Sequence, residues 1–196
     1  LAPFFAVTGN AGSPESTVDG LLVSHVRYQG FQGNIRATTR PISFDPQALN
    51  QILALPQFAT WQANGGLIIS DDLGTRAVND FYATGGGQFS ARTAARDAFL
   101  AGNDMLYLGN INSIDFPDSY ITTTSIIEFF AQKYREDAAF AQRVDASVAR
   151  ILAVKFGLYG SFAVSNVLTP LSQLTELGTA TEVTFDVARY SATLIS

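Results

Sequence analysis

Three short runs of the chain are continuously apolar, and between them apolar residues recur at helical spacing. The runs are residues 20–26 (Gly-Leu-Leu-Val-Ser-His-Val), 66–70 (Gly-Leu-Ile-Ile-Ser) and 104–108 (Asp-Met-Leu-Tyr-Leu). Runs without polar alternation are expected where a strand is covered on both faces. Helical patterns separate them. Residues 45–55 place Pro46 at a first helical position, with Leu49, Ile52 and Leu53 on one face. Residues 91–101 are strong helix formers, and Gly102 follows as a C-cap. Two more helices are expected over 119–134 and 137–156. In the second, Val144, Val148, Ile151, Leu152 and Phe156 form an apolar stripe, and Gly157 is expected to end it.

This strand–helix order predicts an α/β fold with a parallel sheet and right-handed crossovers. Three such units are too few for a closed eight-stranded barrel, which takes about 250 residues. Residues 9–16 and 85–87 read as loops. After Gly160 the pattern changes: 161–174 carry Pro170 and no clear period, as a linker would. A helix over 179–189 and a strand starting at 191–195 would open another domain. The predicted division is therefore 1–160 and 161–196.

Composition narrows the chemistry. The chain has no cysteine and one histidine, His25, so neither thiolate chemistry nor a histidine-cluster metal site is available. No cofactor is expected. The net charge is −5 with no basic run, which argues against nucleic acid as a partner. Hydrophobic residues make up 47% but no run approaches the roughly 20 residues of a membrane span. No basic-start signal peptide is visible, the chain opens without Met, and the sequence assigns no compartment.

Residues 67–78 (Leu-Ile-Ile-Ser-Asp-Asp-Leu-Gly-Thr-Arg-Ala-Val) carry the one strong chemical signal. An apolar strand runs into two carboxylates, a glycine and a helix-compatible segment. In parallel α/β folds catalytic groups collect at that end of a strand. An Asp there also serves as an N-cap, and the residues alone leave the two readings of Asp71 even. Alternation puts Leu67, Ile69 and Asp71 on one face and Ile68, Ser70 and Asp72 on the other.

Four segments, in order, carry a resemblance: Gly20-Leu-Leu-Val-Ser-His-Val, Gly65-Gly-Leu-Ile-Ile-Ser-Asp-Asp-Leu-Gly, Ala101-Gly-Asn-Asp-Met, and Arg143-Val-Asp-Ala-Ser-Val-Ala-Arg-Ile-Leu-Ala-Val-Lys. Together they resemble glycoside hydrolase family 3, the retaining β-N-acetylhexosaminidases and β-glucosidases, over about 20–160. The resemblance implies that the three strands are the last three of a (β/α)8 TIM barrel and that the linker leads to a second α/β domain. It implies a carbohydrate substrate, with Asp71 as nucleophile. His25 would line the site, contacting sugar or orienting Asp71, and Asp72 would serve behind it. Asp72-Leu73 and Ser24-His25 fit the hexosaminidase branch; β-glucosidases tend to carry Trp and Tyr at positions 72 and 25.

The chain also departs from the family. The hexosaminidase branch carries a Lys-His-Phe-Pro-Gly-His-Gly motif, followed by a His-Asp acid/base pair, upstream of a Leu-x-Pro-Phe that Leu1-Ala-Pro-Phe matches. Other members take a Glu from the second domain. Neither is present, so the resemblance implies a fragment lacking the N-terminal barrel portion and the C-terminal domain, with the isolated chain's activity open. The rivals are a β-glucosidase or β-xylosidase of the same family and a non-catalytic fragment. Ser24, Ser70, Asn103 and Asp104 are expected to be structural, Arg150 and Lys155 to be solvated or ion-paired, and Trp61 to pack. Arg27, Tyr28 and Phe31 are placed on a loop facing the substrate.

Overall fold

The computed structural model describes residues 1–84, 87–116, 118–168 and 181–191. It is mixed α/β and mostly helical. The elements used below are α1 (Ala2–Ala6), β1 (Gly20–Val23), α2 (Gln29–Gln32), α3 (Pro46–Leu53), α4 (Pro56–Ala63), β2 (Leu67–Ser70), α5 (Arg76–Ala83), α6 (Ala91–Ala101), α7 (Ser119–Glu136), α8 (Ala138–Tyr159), α9 (Val164–Val167) and α10 (Thr181–Ser191). The chain forms two compact units, Leu1–Val154 and Lys155–Ser196. The second holds the end of α8, then α9 and α10, with Phe162 against Phe156 at 6.1 Å. The expected strand at 191–195 and most of the 85–87 loop fall outside the described residues, and Ser191 itself closes α10.

Local chemistry accounts for the helix starts. Asp45 caps α3 by accepting from the Ala48 N–H at 3.0 Å, with Pro46 behind it. Ser90 caps α6, and Asp118 caps α7 through the Ile121 N–H at 2.8 Å. The end of α6 requires glycine, because Gly102 adopts φ +129.

β1 and β2 pair in parallel, with Leu21 beside Ile68 and Leu22 beside Ile69. The third expected strand is a single bridge, Ile69 to Met105. The reason is local competition for ladder hydrogen bonds. Ser70 N–H donates to Met105 O, and Met105 N–H to Ile68 O, as a ladder requires. One step on, the Tyr107 N–H is taken by the Ser70 hydroxyl at 3.0 Å and the Asp72 N–H by the Asp71 carboxylate at 2.8 Å. The pairing slips by one residue, and Leu73 N–H reaches Tyr107 O instead.

The register also sets the faces of the segments beside β2. Leu21 and Val23 lie on the same side as Ile68, against the cluster built by α3 and α4 around Leu49, Ile52, Phe58 and Trp61. Leu106 and Leu108 pack into the second cluster with Phe44, Leu73, Val78 and Ile111. The other face carries Leu22, Ile69, Met105 and Tyr107; Leu22 is 52% exposed and Tyr107 54%, so the described chain covers this face only in part. Trp61 packs as expected, within α4, its Nε1–H donating to Val18 O at 2.7 Å.

The helix α8 departs from its sequence pattern too. Val148, Leu152 and Phe156 of the apolar stripe are exposed, and the helix runs past Gly157 to Tyr159, with Gly160 at φ +65 beyond it. The inward face is Phe140, Arg143, Ser147 and Arg150. It is set by Asp104, whose side chain is fully buried. One carboxylate oxygen accepts from Arg143 at 2.9 Å, Arg150 at 2.8 Å and Ser147 at 2.8 Å, and the other from the Ile68 N–H at 3.2 Å. A carboxylate can be buried only where it is matched in this way, so the polar residues of α8 turn inward. Neighbouring Asn103 is likewise structural, donating from Nδ2 to Ser43 O and Ala98 O.

Two expectations follow. Asp104→Ala strands two guanidinium groups and is expected to cost about 3–5 kcal/mol in urea denaturation, whereas Val148→Ser costs under about 0.5 kcal/mol; the reverse order would contradict this packing. The free edge of β1 adjoins an apolar groove of about 100 Å³ lined by Leu1, Phe4, Leu22 and Val26. Exposed edges and apolar faces promote association. The isolated chain is therefore expected to scatter light as concentration-dependent oligomers that Leu22→Lys weakens, and a monodisperse monomer at every concentration would contradict it.

Candidate active site

β2 leaves the sheet through Asp71-Asp72-Leu73-Gly74, and this exit is pinned at several points. Asp71 N–H donates to Val23 O at 3.1 Å, which extends the parallel ladder by one residue. Leu73 N–H donates to Tyr107 O at 2.9 Å, and the Leu73 side chain is fully buried. Asp72 Oδ1 accepts from the Gly74 N–H at 2.8 Å, an Asx turn. Gly109 lies so close that a Cβ there would strike the Asp72 carboxylate.

The cap reading of Asp71 does not hold. α5 begins at Arg76 with Thr75 at its N-cap, and no side chain caps it. Asp71 continues the β2 register, which places it with Leu22, Ile69 and Tyr107 on the face opposite the helices. It is half-buried. Its Oδ1 accepts from the Asp72 N–H, and among the described residues its Oδ2 accepts from no protein donor. Asp72 lies on the other side of the strand, with its own Oδ1 committed to the turn.

His25 follows β1 and turns toward the helix layer. Its ring stacks on Phe44 with centroids 5.4 Å apart. Nε2 lies 2.9 Å from Asp72 O and Nδ1 lies 2.7 Å from Ser43 Oγ. The carbonyl can only accept, so Nε2 carries the proton. Both ring nitrogens are thus engaged within the chain. His25 reaches the acid pair through the Asp72 backbone, and the three residues singled out in the sequence form one connected group.

The residues expected on the loop after His25 are less directly placed, and Phe31 lies within α2 rather than on a loop and packs against the cluster of α3 and α4. Arg27 donates to Thr39 O at 2.6 Å and to Ala37 O at 3.3 Å, and its guanidinium lies 5.9 Å from the Phe81 ring centre. It braces the 36–40 loop. Tyr28 is exposed and meets Phe31 edge-on at 6.3 Å. Beneath the site, Tyr82 packs edge-on against Phe44 at 5.8 Å and donates to Asp97 at 3.1 Å. Burial, and then the Asp97 charge, push the Tyr82 phenol well above its usual range, so it remains a donor.

Sequence reasoning missed Ser43. No periodicity marks it. The available signal was its place between Ile42 and Phe44: a serine flanked by buried apolar residues is itself buried, and a buried hydroxyl requires a partner. Among the described residues no three His, Cys, Asp or Glu side chains gather to hold a metal, and no helix is long and apolar enough to cross a membrane.

No family model matches the chain, and no curated protein does. Among solved structures, it is similar to the β-N-acetylhexosaminidase from Beutenbergia cavernae DSM 12333, with a TM-score of 0.49 at 20% identity, over 72% of this chain and 34% of that one. The chain thus spans about a third of the length of the enzyme it matches.

Proposed function

We propose that the chain is the part of a retaining glycoside hydrolase that carries the nucleophile, Asp71. The observation that supports this most is the placement of Asp71 in register at the carboxyl end of a parallel pair, on the face away from the helices, with one carboxylate oxygen unused among the described residues. Residues 1–160 would then belong to a (β/α)8 domain of the family 3 type, with β1, β2 and the 104–108 segment as its last three strands, and 161–196 would lead to a further domain.

The chemistry has two steps. An Asp71 oxygen attacks the anomeric carbon as the bond to the aglycone breaks, and an acid protonates the departing oxygen. Water, deprotonated by the same group, then displaces Asp71 and releases the sugar with retained configuration. Such an acid/base stands about 5–5.5 Å from the nucleophile, and no residue of this chain matches the family's motif for it. A terminal β-N-acetylhexosaminide is the substrate that Asp72-Leu73 and His25 favour over a β-glucoside or β-xyloside. In this reading Asp72 shapes the turn beneath Asp71, and His25 anchors that turn.

Hydrolysis of 4-nitrophenyl β-glycosides by the longest natural form of the protein tests the proposal. Asp71→Ala is expected to lower kcat by about 10⁴-fold or more, while Asp72→Asn, which keeps an acceptor for Gly74, loses less than about tenfold. Loss on Asp72→Asn equal to that on Asp71→Ala would contradict the assignment. Absence of hydrolysis in every form would favour the non-catalytic reading.

A further inference from the structure

We propose that Ser43 is a positioning residue for the candidate nucleophile, acting through His25 and the Asp72 backbone; this rests on the reading of Asp71 given above. Ser43 lies in the turn Ile42–Phe44, where all three residues are 2% exposed or less. Its carbonyl accepts from the Asn103 Nδ2 at 2.9 Å, and the Ile42 N–H donates to Val26 O at 2.8 Å, so the turn is tied on both sides. Its hydroxyl has one partner among the described residues, His25 Nδ1 at 2.7 Å.

The direction of these bonds follows from what each atom can do. Asp72 O accepts, so Nε2 donates. In the neutral ring, whose single proton is on Nε2, Nδ1 is an acceptor, and the Ser43 hydroxyl is the donor that meets it. This arrangement leaves no buried polar atom of the three unmatched. Phe44 backs the imidazole at 5.4 Å. Ring plane and tautomer are therefore both set, and the ring delivers one N–H to the Asp72 carbonyl. Among the described residues that carbonyl takes one other hydrogen bond, from the Thr75 N–H at 3.3 Å. With Asp71 N–H on Val23 O and Leu73 N–H on Tyr107 O, the His25 contact fixes the Asp72 peptide groups. The Asp72 N–H then faces Asp71 Oδ1 and orients the carboxylate.

His25 is the chain's one histidine, so its two ring nitrogens give an unambiguous pair of signals in a long-range ¹H–¹⁵N spectrum. Wild type is expected to show a protonated Nε2 and a bare, hydrogen-bonded Nδ1. In Ser43→Ala the Nδ1 signal moves to the position of an unbonded nitrogen, and the Asp72 amide proton shifts upfield as its bond to Asp71 loosens. Ser43→Thr restores both. In the active form of the protein, kcat falls about tenfold in Ser43→Ala while KM holds, and Ser43→Thr recovers it. Two results would overturn the proposal: the neutral ring of wild type carrying its proton on Nδ1 rather than Nε2, which is decisive even if the variants fail to fold, or a Ser43→Ala protein whose Nδ1 and Asp72 signals stay in place. The spectra need no catalysis. Signals as expected without hydrolysis would sink the glycosidase reading and leave the Ser43 coupling standing.

Discussion

The buried turn Ile42–Phe44 is the constraint on which the site depends. Ile42 belongs to one apolar cluster and Phe44 to the other, so three consecutive residues join the two halves of the core. A turn buried to this degree must satisfy its polar groups internally. It does so by accepting from Asn103 on one side and meeting His25 on the other. The site inherits its order from this necessity. His25 is held by the Ser43 hydroxyl, whose one partner among the described residues it is, and the Asp72 carbonyl is held by His25.

The same logic runs through Asp104. Its buried carboxylate collects Arg143, Arg150, Ser147 and the Ile68 N–H, which fixes α8 to the start of the segment that flanks β2. Asn103, next in the chain, reaches Ser43. One polar corner thus sets both the helix packing and the turn beneath the candidate nucleophile. Ser70 and Asp71 add the last element. By taking the N–H groups that a third strand would use, they end the ladder at the Asp71 carboxylate.

Much of this was legible in the sequence, where local chemistry decides structure. The Asp45-Pro46 start of α3, the extent of α6 with Gly102 after it, and the ends of β2 are each set by residues within a turn of the boundary. The acid pair after an apolar strand and the histidine at the end of the preceding strand were visible for the same reason. What escaped was set by distant partners. The stripe of α8 looked like a core face, but the charge on Asp104 turned the polar face inward. The side chosen by Leu21 and Val23 depended on register against β2. Slippage beyond Met105 came from two side chains competing with the backbone, which no periodicity records. Ser43 had no motif at all, and its role depends on a histidine 18 positions away.

The central claim is that the Asp71 carboxylate, held by its own neighbour's N–H and with no partner at its second oxygen among the described residues, is the group that bonds to the sugar. Its most direct test is to incubate the active protein with a fluorosugar that bears a good leaving group, trap the glycosyl-enzyme, and map the modified peptide by mass spectrometry. The expected result is a single adduct on Asp71. An adduct on Asp72, on Asp45 or on any other residue would contradict the account.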